Sequence, residues 1–374
     1  MKKVVALLLI AAMLFTVTAC GDTNAASKAE FEQLLVERNV PELLSREEML
    51  NVLQTQVYGK MPPAMEDQYF SVQENTIDNY CGGKAVHHKV FARGTINGKG
   101  YGFGFSVVLP TTEGKHPFFV HIKFSGNATD SQQPTEELVD NGFAVLSFNY
   151  EAVTSDDSDF TDGLAGVLYE DGVRVNDDDP GKIAMWAWAA QRVMDYAETR
   201  EDVLDLDRAI VCGHSRLGKT ALLAAATDER FTFAYSNNSG CSGAALSRGK
   251  EGEDLERIHK TASYWFCKNY KQYIGKEETL PLDQHYLLAS IAPRKVLVGS
   301  ASEDKTADPI SEQLGCLAAS PAFENGFVYT GVAQIGDKFF DGDIAYHLRK
   351  GKHAFTRDDW HRLIEFVNLK TEKK

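Results

Sequence analysis

Three absences narrow this chain before any motif is considered. It has six cysteines in 374 residues, and the five beyond Cys20 (Cys81, Cys212, Cys241, Cys267, Cys316) are widely spaced, with no CxxC pair. That argues against a disulfide framework or a zinc site, although one bridge stays open in an oxidising compartment. Positive charge is also short, with 39 Lys and Arg against 53 Asp and Glu and a net charge of −14. Nucleic acid is thereby excluded as a partner, because its binding needs concentrated cations that displace counterions. Long apolar runs are missing too: Val4 to Phe15 is unbroken but too short to span a bilayer comfortably. No internal repeat or low-complexity linker breaks the chain.

That short apolar run has a purpose of its own. Lys2 and Lys3 precede it and Val17-Thr18-Ala19-Cys20 closes it, the layout of an export signal. Residues 1–19 are expected to be a lipoprotein signal peptide and Cys20 the lipidated first residue of the mature protein, with residues 20–28 as a polar tether; the alternative is ordinary cleavage nearby with Cys20 incidental. Removing residues 1–19 deletes two lysines and no acid, which takes the net charge from −14 to −16. The expectation is an exported, membrane-anchored monomer at the cell surface or in the periplasm, touching membrane through its lipid only. Residues 29–374 are read as a single α/β domain, since length is only a soft guide to domain number. Hydrophobic content of 43% and aromatic content of 10% suit one substantial core.

Apolar periodicity gives the architecture. Arg46 to Tyr58 reads as an amphipathic helix ended by Gly59 and Pro62-Pro63. Ala85 to Thr95 and Gly100 to Pro110 alternate apolar and polar residues around Asn97-Gly98, which predicts an antiparallel hairpin. Unbroken apolar runs then alternate with helices: Pro117 to Phe124, Ala144 to Asn149, helix Ile183 to Ala197, Ala209 to Cys212, helix Thr220 to Ala226, Phe233 to Asn237 and Lys295 to Ser300. Such runs are buried parallel strands, so the prediction is a mainly parallel central sheet with helices on both faces. The clusters Asp156-Asp157-Ser158-Asp159 and Asn176-Asp177-Asp178-Asp179 lack the Gly and Glu of a calcium loop and are read as solvated loops.

The octapeptide Gly213-His214-Ser215-Arg216-Leu217-Gly218-Lys219-Thr220 fits two unrelated motifs. As G-x-x-x-x-G-K-T it is a P-loop, in which backbone N–H groups and Lys219 hold phosphates. Around its serine it is a nucleophile elbow between a strand and a helix. An exported protein meets little ATP, and an elbow makes a further demand that can be checked: an acid and then a histidine downstream. Lys295 to Ser300 runs into Glu303-Asp304, and His353 precedes the terminal helix Asp358 to Asn368. The order is met. Ser215 would attack an acyl carbonyl, His353 would take its proton and Asp304 would hold the histidine's tautomer. Glu303 and Asp308 remain alternatives for the acid, and His347 and His285 for the base. One departure from the usual G-x-S-x-G is that Leu217 stands two residues after the serine and Gly218 three.

With these residues located, the chain resembles the bacterial branch of the glucuronoyl esterases, carbohydrate esterase family 15, over nearly all its mature length. The likeness is carried by the octapeptide with Ala221-Leu222, by Ser236 to Arg248, by Pro281-Leu282-Asp283-Gln284-His285, by Ala292-Pro293-Arg294, by Glu303-Asp304 with Ala307-Asp308-Pro309, and by Gly351-Lys352-His353 with Asp359-Trp360. It implies an α/β-hydrolase fold, a serine triad, no metal and no cofactor, and hydrolysis of glucuronate esters of xylan, including lignin–carbohydrate esters. It further implies that Arg216 helps hold the oxyanion and that Lys219 and Glu253 grip sugar hydroxyls. Asn238, after the sixth strand candidate, stands where many members have a catalytic Glu, which places the acid role on Asp304. Thr306 stands where some have a tryptophan lining the uronate site; both positions are grouped with the substrate contacts. The competing readings are an acetyl xylan or small-ester esterase and a weakly catalytic glycan-binding lipoprotein.

Overall fold

The computed structural model describes residues 23–125 and 132–371. The expected signal segment, Cys20 and the start of the tether lie outside the described residues. The strands are β1 (Glu66–Gln73), β2 (Ala85–Ile96), β3 (Lys99–Pro110), β4 (His116–Lys123), β5 (Ala144–Asn149), β6 (Leu204–His214), β7 (Phe233–Asn237), β8 (Lys295–Ala301), β9 (Lys338–Phe339) and β10 (Ile344–Arg349). The helices are α1 (Thr23–Arg38), α2 (Arg46–Leu53), α3 (Thr135–Asp140), α4 (Gly163–Leu168), α5 (Lys182–Glu198), α6 (Arg216–Thr227), α7 (Leu255–Ala262), α8 (His285–Ala289), α9 (Pro309–Ala319) and α10 (Arg357–Thr371). From Thr23 onward the stretch expected as tether is helical, as the start of α1.

The ten strands form one sheet in the order β1-β2-β3-β5-β4-β6-β7-β8-β10-β9. Its centre from β5 to β10 is parallel, whereas β1, β2 and β3 are antiparallel at one edge and β9 at the other. All eight residues of β4 are buried, as a strand covered on both faces must be. The hairpin turn is Asn97-Gly98, both at positive φ (51° and 73°), with Ile96 paired to Lys99; two such residues give the mirror-image turn whose twist matches the strands. Apolar clusters lie on both faces of the sheet. The larger includes α5, whose Trp186 and Trp188 are buried, and the other centres on Phe119, Tyr235 and Trp360. The mainly parallel sheet covered on both faces, expected from the alternating runs, is the one observed, and it is the α/β-hydrolase architecture that the resemblance implied.

Among the elements that escape pattern reading are two strands, β1 and β10. β1 has a mostly exposed burial pattern, so no apolar stripe marks it. β10 is fully buried but short, and it carries His347 and Arg349, which disguise it as polar. The position of β10 matters, because it lies parallel to β8 and its end delivers the loop that carries His353.

Candidate active site

Strand order reverses around β4, which pairs β5 on one side and β6 on the other. Crevices at the carboxyl ends of parallel strands, at such a switch point, are where open α/β sheets bind ligands. Register aligns those ends here: His214 of β6 lies beside Asn237 of β7, and Asn237 beside Gly299 of β8. Ser215, Asn238, Asp304 and His353 therefore leave the same edge of the sheet.

Ser215 has φ 57° and ψ −126°, backbone that an L-residue adopts only under constraint. The constraint is visible. Its N–H donates to Asn237 O at 2.8 Å, and its carbonyl accepts from Gly218 N at 2.9 Å and Lys219 N at 3.2 Å. A Cβ on Gly213 would lie 2.2 Å from Leu217 O, so glycine is obligatory there. On Gly218 it would meet Ser236 and Ser239 at 3.1 Å. The glycine three places after the serine thus gives the close helix approach usually supplied two places after. α6 begins at Arg216, directly after the serine, and this one-residue turn leaves no loop of free N–H groups to cradle a phosphate. The elbow geometry fits the octapeptide; the P-loop geometry does not.

The downstream pair meets. His353 Nδ1 lies 2.6 Å from Asp304 Oδ2. The same oxygen accepts Asn238 Nδ2 at 2.9 Å, and Oδ1 accepts the N–H of Ala307 at 3.2 Å. Burial alone would raise the Asp304 carboxyl, yet the hydrogen bond and charge of His353, together with Ala307 and Asn238, bring it below its ordinary value. The competitors are engaged elsewhere. Glu303 is exposed and meets the histidine loop only through its backbone N–H, donated to Gly351 O at 2.8 Å. Asp308 caps α9, accepting Ser311 N and Oγ, and also takes the N–H of Glu251. His347 is buried against the Tyr235 hydroxyl at 3.0 Å, and His285 contacts Pro41 O at 3.0 Å.

A buried clamp sets the loop that carries His353. Arg349 Nε holds both oxygens of Asp359 at 2.9 and 2.7 Å, and its other nitrogens donate to the carbonyls of Lys350, Lys352 and Ala354. Asp359 also accepts from Thr356 and Asn237. Burial holds the Asp359 carboxyl above its ordinary value against the opposing pull of Arg349 and Thr356, and the clamp tethers residues on both sides of His353. His214 packs beside the histidine, ring centroids 4.4 Å apart. Burial first, then the neighbouring His353, hold it at a pKa of about 3. It is neutral.

Arg216 lies on the other flank. Its guanidinium pairs with Asp156 and lies over the Trp265 ring at 4.8 Å and the Phe124 ring at 5.4 Å. Asp156 in turn accepts the Tyr150 hydroxyl and the Trp265 indole N–H, each at 2.7 Å. The loop reading of the first aspartate cluster therefore needs correction at one residue. Asp157, Ser158 and Asp159 are exposed, but the Asp156 side chain is only 6% exposed, because it neutralises an arginine that is half enclosed by aromatics. The N–H of Arg216 is the first of α6 and has no intrahelical acceptor. With the Arg216 Nε, which is buried without a partner, it supplies donors suited to a developing oxyanion.

The remaining residues group around the 238–253 segment. Lys219, 3% exposed, donates to Ser239 O; burial lowers its pKa against the opposing pull of Glu253. Thr306 is exposed, and its carbonyl accepts Glu253 N at 3.1 Å and Lys250 Nζ at 2.9 Å. Asn238, grouped above with the sugar contacts, instead turns its amide to Asp304 and is 1% exposed. A second carboxylate at 238 would repel Asp304; an amide supports it. Glu312 was not anticipated. Fully buried on α9, it accepts Gly240 N at 2.9 Å and Ser300 Oγ at 2.5 Å, and burial pushes its pKa up to about 7. An acid inside an otherwise apolar helix pattern was the available signal. Beside His353 opens a cavity of about 380 Å³ whose wall includes His121, Lys123, Phe124, His214 and Phe355. Lys219, Glu253 and Thr306 are not on that wall.

Known proteins with this arrangement are consistent with one another. Residues 94–325 match the family model for fungal glucuronyl esterases. Carbohydrate esterase MZ0003, from an unknown prokaryotic organism, is 40% identical over 237 residues, 62% of this chain and 55% of that protein. The 4-O-methyl-glucuronoyl methylesterase 1 of Phanerochaete chrysosporium is 28% identical over 256 residues, 65% of this chain and 51% of that one. The chain thus spans about half the length of the curated relatives it matches. Among solved structures, a promiscuous esterase of carbohydrate esterase family 15 from a marine bacterial metagenome superposes with a TM-score of 0.77 at 31% identity, covering 86% of this chain and 90% of that one. A glucuronoyl esterase from Solibacter usitatus gives 0.80 at 29% identity, with 90% and 100% covered.

Proposed function

Because the chain belongs to the glucuronoyl esterases, carbohydrate esterase family 15, we propose that it is a serine carboxylesterase that hydrolyses glucuronoyl esters of xylan, 4-O-methyl-glucuronate esters foremost. The observation that carries this reading is the 2.6 Å contact between His353 Nδ1 and Asp304 at the sheet edge where Ser215 stands on its strained turn. With Nδ1–H committed to the carboxylate, His353 Nε2 is the free base. It takes the Ser215 proton as Oγ attacks the ester carbonyl, and the oxyanion faces the Arg216 N–H and guanidinium. Collapse of the tetrahedral intermediate expels the alcohol, which receives its proton from His353. Water then cleaves the acyl-enzyme by the same route. Lys219, bonded to Ser239 O, and Glu253 beside it are proposed to orient the sugar hydroxyls through the 238–253 segment, with Thr306 at its margin.

Release of benzyl alcohol from benzyl glucuronate by the parent, and none by Ser215→Ala, is the expected result. Turnover of acetylated xylan with no action on the glucuronate ester would replace this reading with an acetyl esterase. We further propose that the protein is exported and held at a membrane by lipid on Cys20, acting as a monomer. Incorporation of labelled palmitate, lost in Cys20→Ser, is the expected outcome for the anchor, and sedimentation of the soluble body as a single copy for the oligomeric state.

A further inference from the structure

β2 and β3 turn alternate residues away from the core. On β2 these include Lys89, Phe91 and Arg93; on β3 they are Gly100, Gly102 and Gly104. Three glycines on one strand remove the side chains that would fill this face, so a trough runs along it. Phe91 forms its floor, so close over its cross-strand partner that a Cβ on Gly104 would lie 3.0 Å from the ring. Cavities of about 690 and 730 Å³ occupy the trough, and Phe91, Gly104 and Ala152 belong to the walls of both. Lys123 lines the first of these and also the cavity beside His353. The trough therefore adjoins the cavity beside His353 at Lys123.

Charge and hydrogen bonding say what would lie in it. The walls of the two cavities carry Lys89, Arg93 and Lys123 against the single acid Asp67, in a chain where acids outnumber bases 53 to 39. Lys89 and Arg93 flank the Phe91 ring, 5.1 and 5.3 Å from its centroid. A local cationic stripe on an acidic protein selects an anionic ligand. Independently, Ser147 is 1% exposed and lines the inner cavity, and its Oγ has no hydrogen-bond partner among the described residues. A buried hydroxyl left unpaired costs free energy that an incoming polar group recovers.

Resting on the esterase reading above, we propose that this trough holds the polysaccharide chain of the substrate, a xylan bearing free uronate carboxylates. Lys89 and Arg93 pair with those carboxylates, and Ser147 bonds a sugar hydroxyl at the end nearest the catalytic cavity. The site is wide and open, with aromatic rings such as Phe91 and Tyr101 among its charged and hydroxyl groups. That suits an extended sugar chain, whose rings have apolar faces and polar edges, rather than a compact apolar ligand.

The test separates binding from turnover. In affinity electrophoresis, Ser215→Ala protein should be retarded by de-esterified glucuronoxylan and much less by the same xylan with its carboxyls reduced. Adding Lys89→Gln and Arg93→Gln should weaken that binding about fivefold, the scale of two exposed ion pairs, and raised salt should do the same. With Ser215 intact, the double substitution should lower kcat/KM on polymeric ester and leave benzyl glucuronate unchanged. Retardation that ignores the double substitution overturns the proposal. So does an equal loss on benzyl glucuronate, which would mean that the trough receives the alcohol. Charge-dependent binding by a parent that cleaves no glucuronate ester would support the trough and sink the esterase reading alone.

Discussion

Asp304→Asn exchanges one oxygen for an NH2 with almost no change of shape, and the hydrogen bonds around the carboxylate make its outcome calculable. Oδ2 accepts from both His353 Nδ1 and Asn238 Nδ2, and Oδ1 from the N–H of Ala307. An asparagine has one acceptor oxygen for these two places. If that oxygen takes the Oδ2 position, its NH2 faces the Ala307 N–H. If it takes the Oδ1 position, the NH2 confronts Asn238 and His353 together, and His353 must accept at Nδ1 and carry its proton on Nε2. That tautomer cannot take the serine's proton. Either rotamer leaves a buried donor facing a donor, about 1–3 kcal/mol of stability. The second also removes the general base, which in serine triads costs roughly 10⁴ in kcat, or about 5 kcal/mol of transition-state stabilisation. Steady-state kinetics on benzyl glucuronate should show kcat falling by about 10³–10⁴ with KM little changed. Glu303→Gln, one residue away and exposed, should stay within about twofold, since surface changes away from special features are nearly neutral. A loss below tenfold for Asp304→Asn, or a crippled Glu303→Gln, would refute the assignment of the acid.

Three further outcomes follow from the geometry. Glu312, with a folded pKa of about 7 against an ordinary 4.5, contributes stability that is full below pH 4.5 and is lost as pH rises through 7. Glu312→Gln keeps an acceptor for Gly240 and a donor for Ser300, so it should gain up to about 3 kcal/mol at pH 8 and nothing near pH 4 in denaturant titrations; parallel pH curves for the two proteins would contradict this. Asp359→Asn breaks the buried pair with Arg349 and should cost about 3–5 kcal/mol, with kcat falling more than KM rises as the His353 loop loosens. A variant that melts like the parent would show the clamp to be idle. Asp156→Asn frees the Arg216 guanidinium and should reduce kcat about tenfold, less than the roughly 10²–10³ cost of deleting an oxyanion donor outright. An unchanged kcat would remove Arg216 from the oxyanion's surroundings.

Much of this molecule was legible along the chain because its signals are local. The hairpin needed only alternation and Asn97-Gly98, and the parallel strands needed only unbroken apolar runs such as Phe118 to Ile122. Both record the burial of each residue on one element. β10 was not legible, since its burial comes from the sheet around it while His347 and Arg349 give it a polar look. Glu312 and Asp156 escaped for a related reason. A single acid is solvated by default, and what makes these two different is a partner dozens of residues away, Gly240 for one and Arg216 for the other.

The chain by itself determined the parallel sheet, the elbow serine and the order of acid and base, because periodicity, turn chemistry and chain order are properties of neighbours in sequence. It favoured Asp304 as the triad acid, with Glu303 and Asp308 as alternatives, but could not show which of the three reaches His353. Only the tertiary structure decided which of these reaches His353. Three carboxylates within six residues have the same intrinsic chemistry, and what distinguishes them is direction. One is exposed, one is committed to a helix cap, and one meets the imidazole across the gap between β8 and β10.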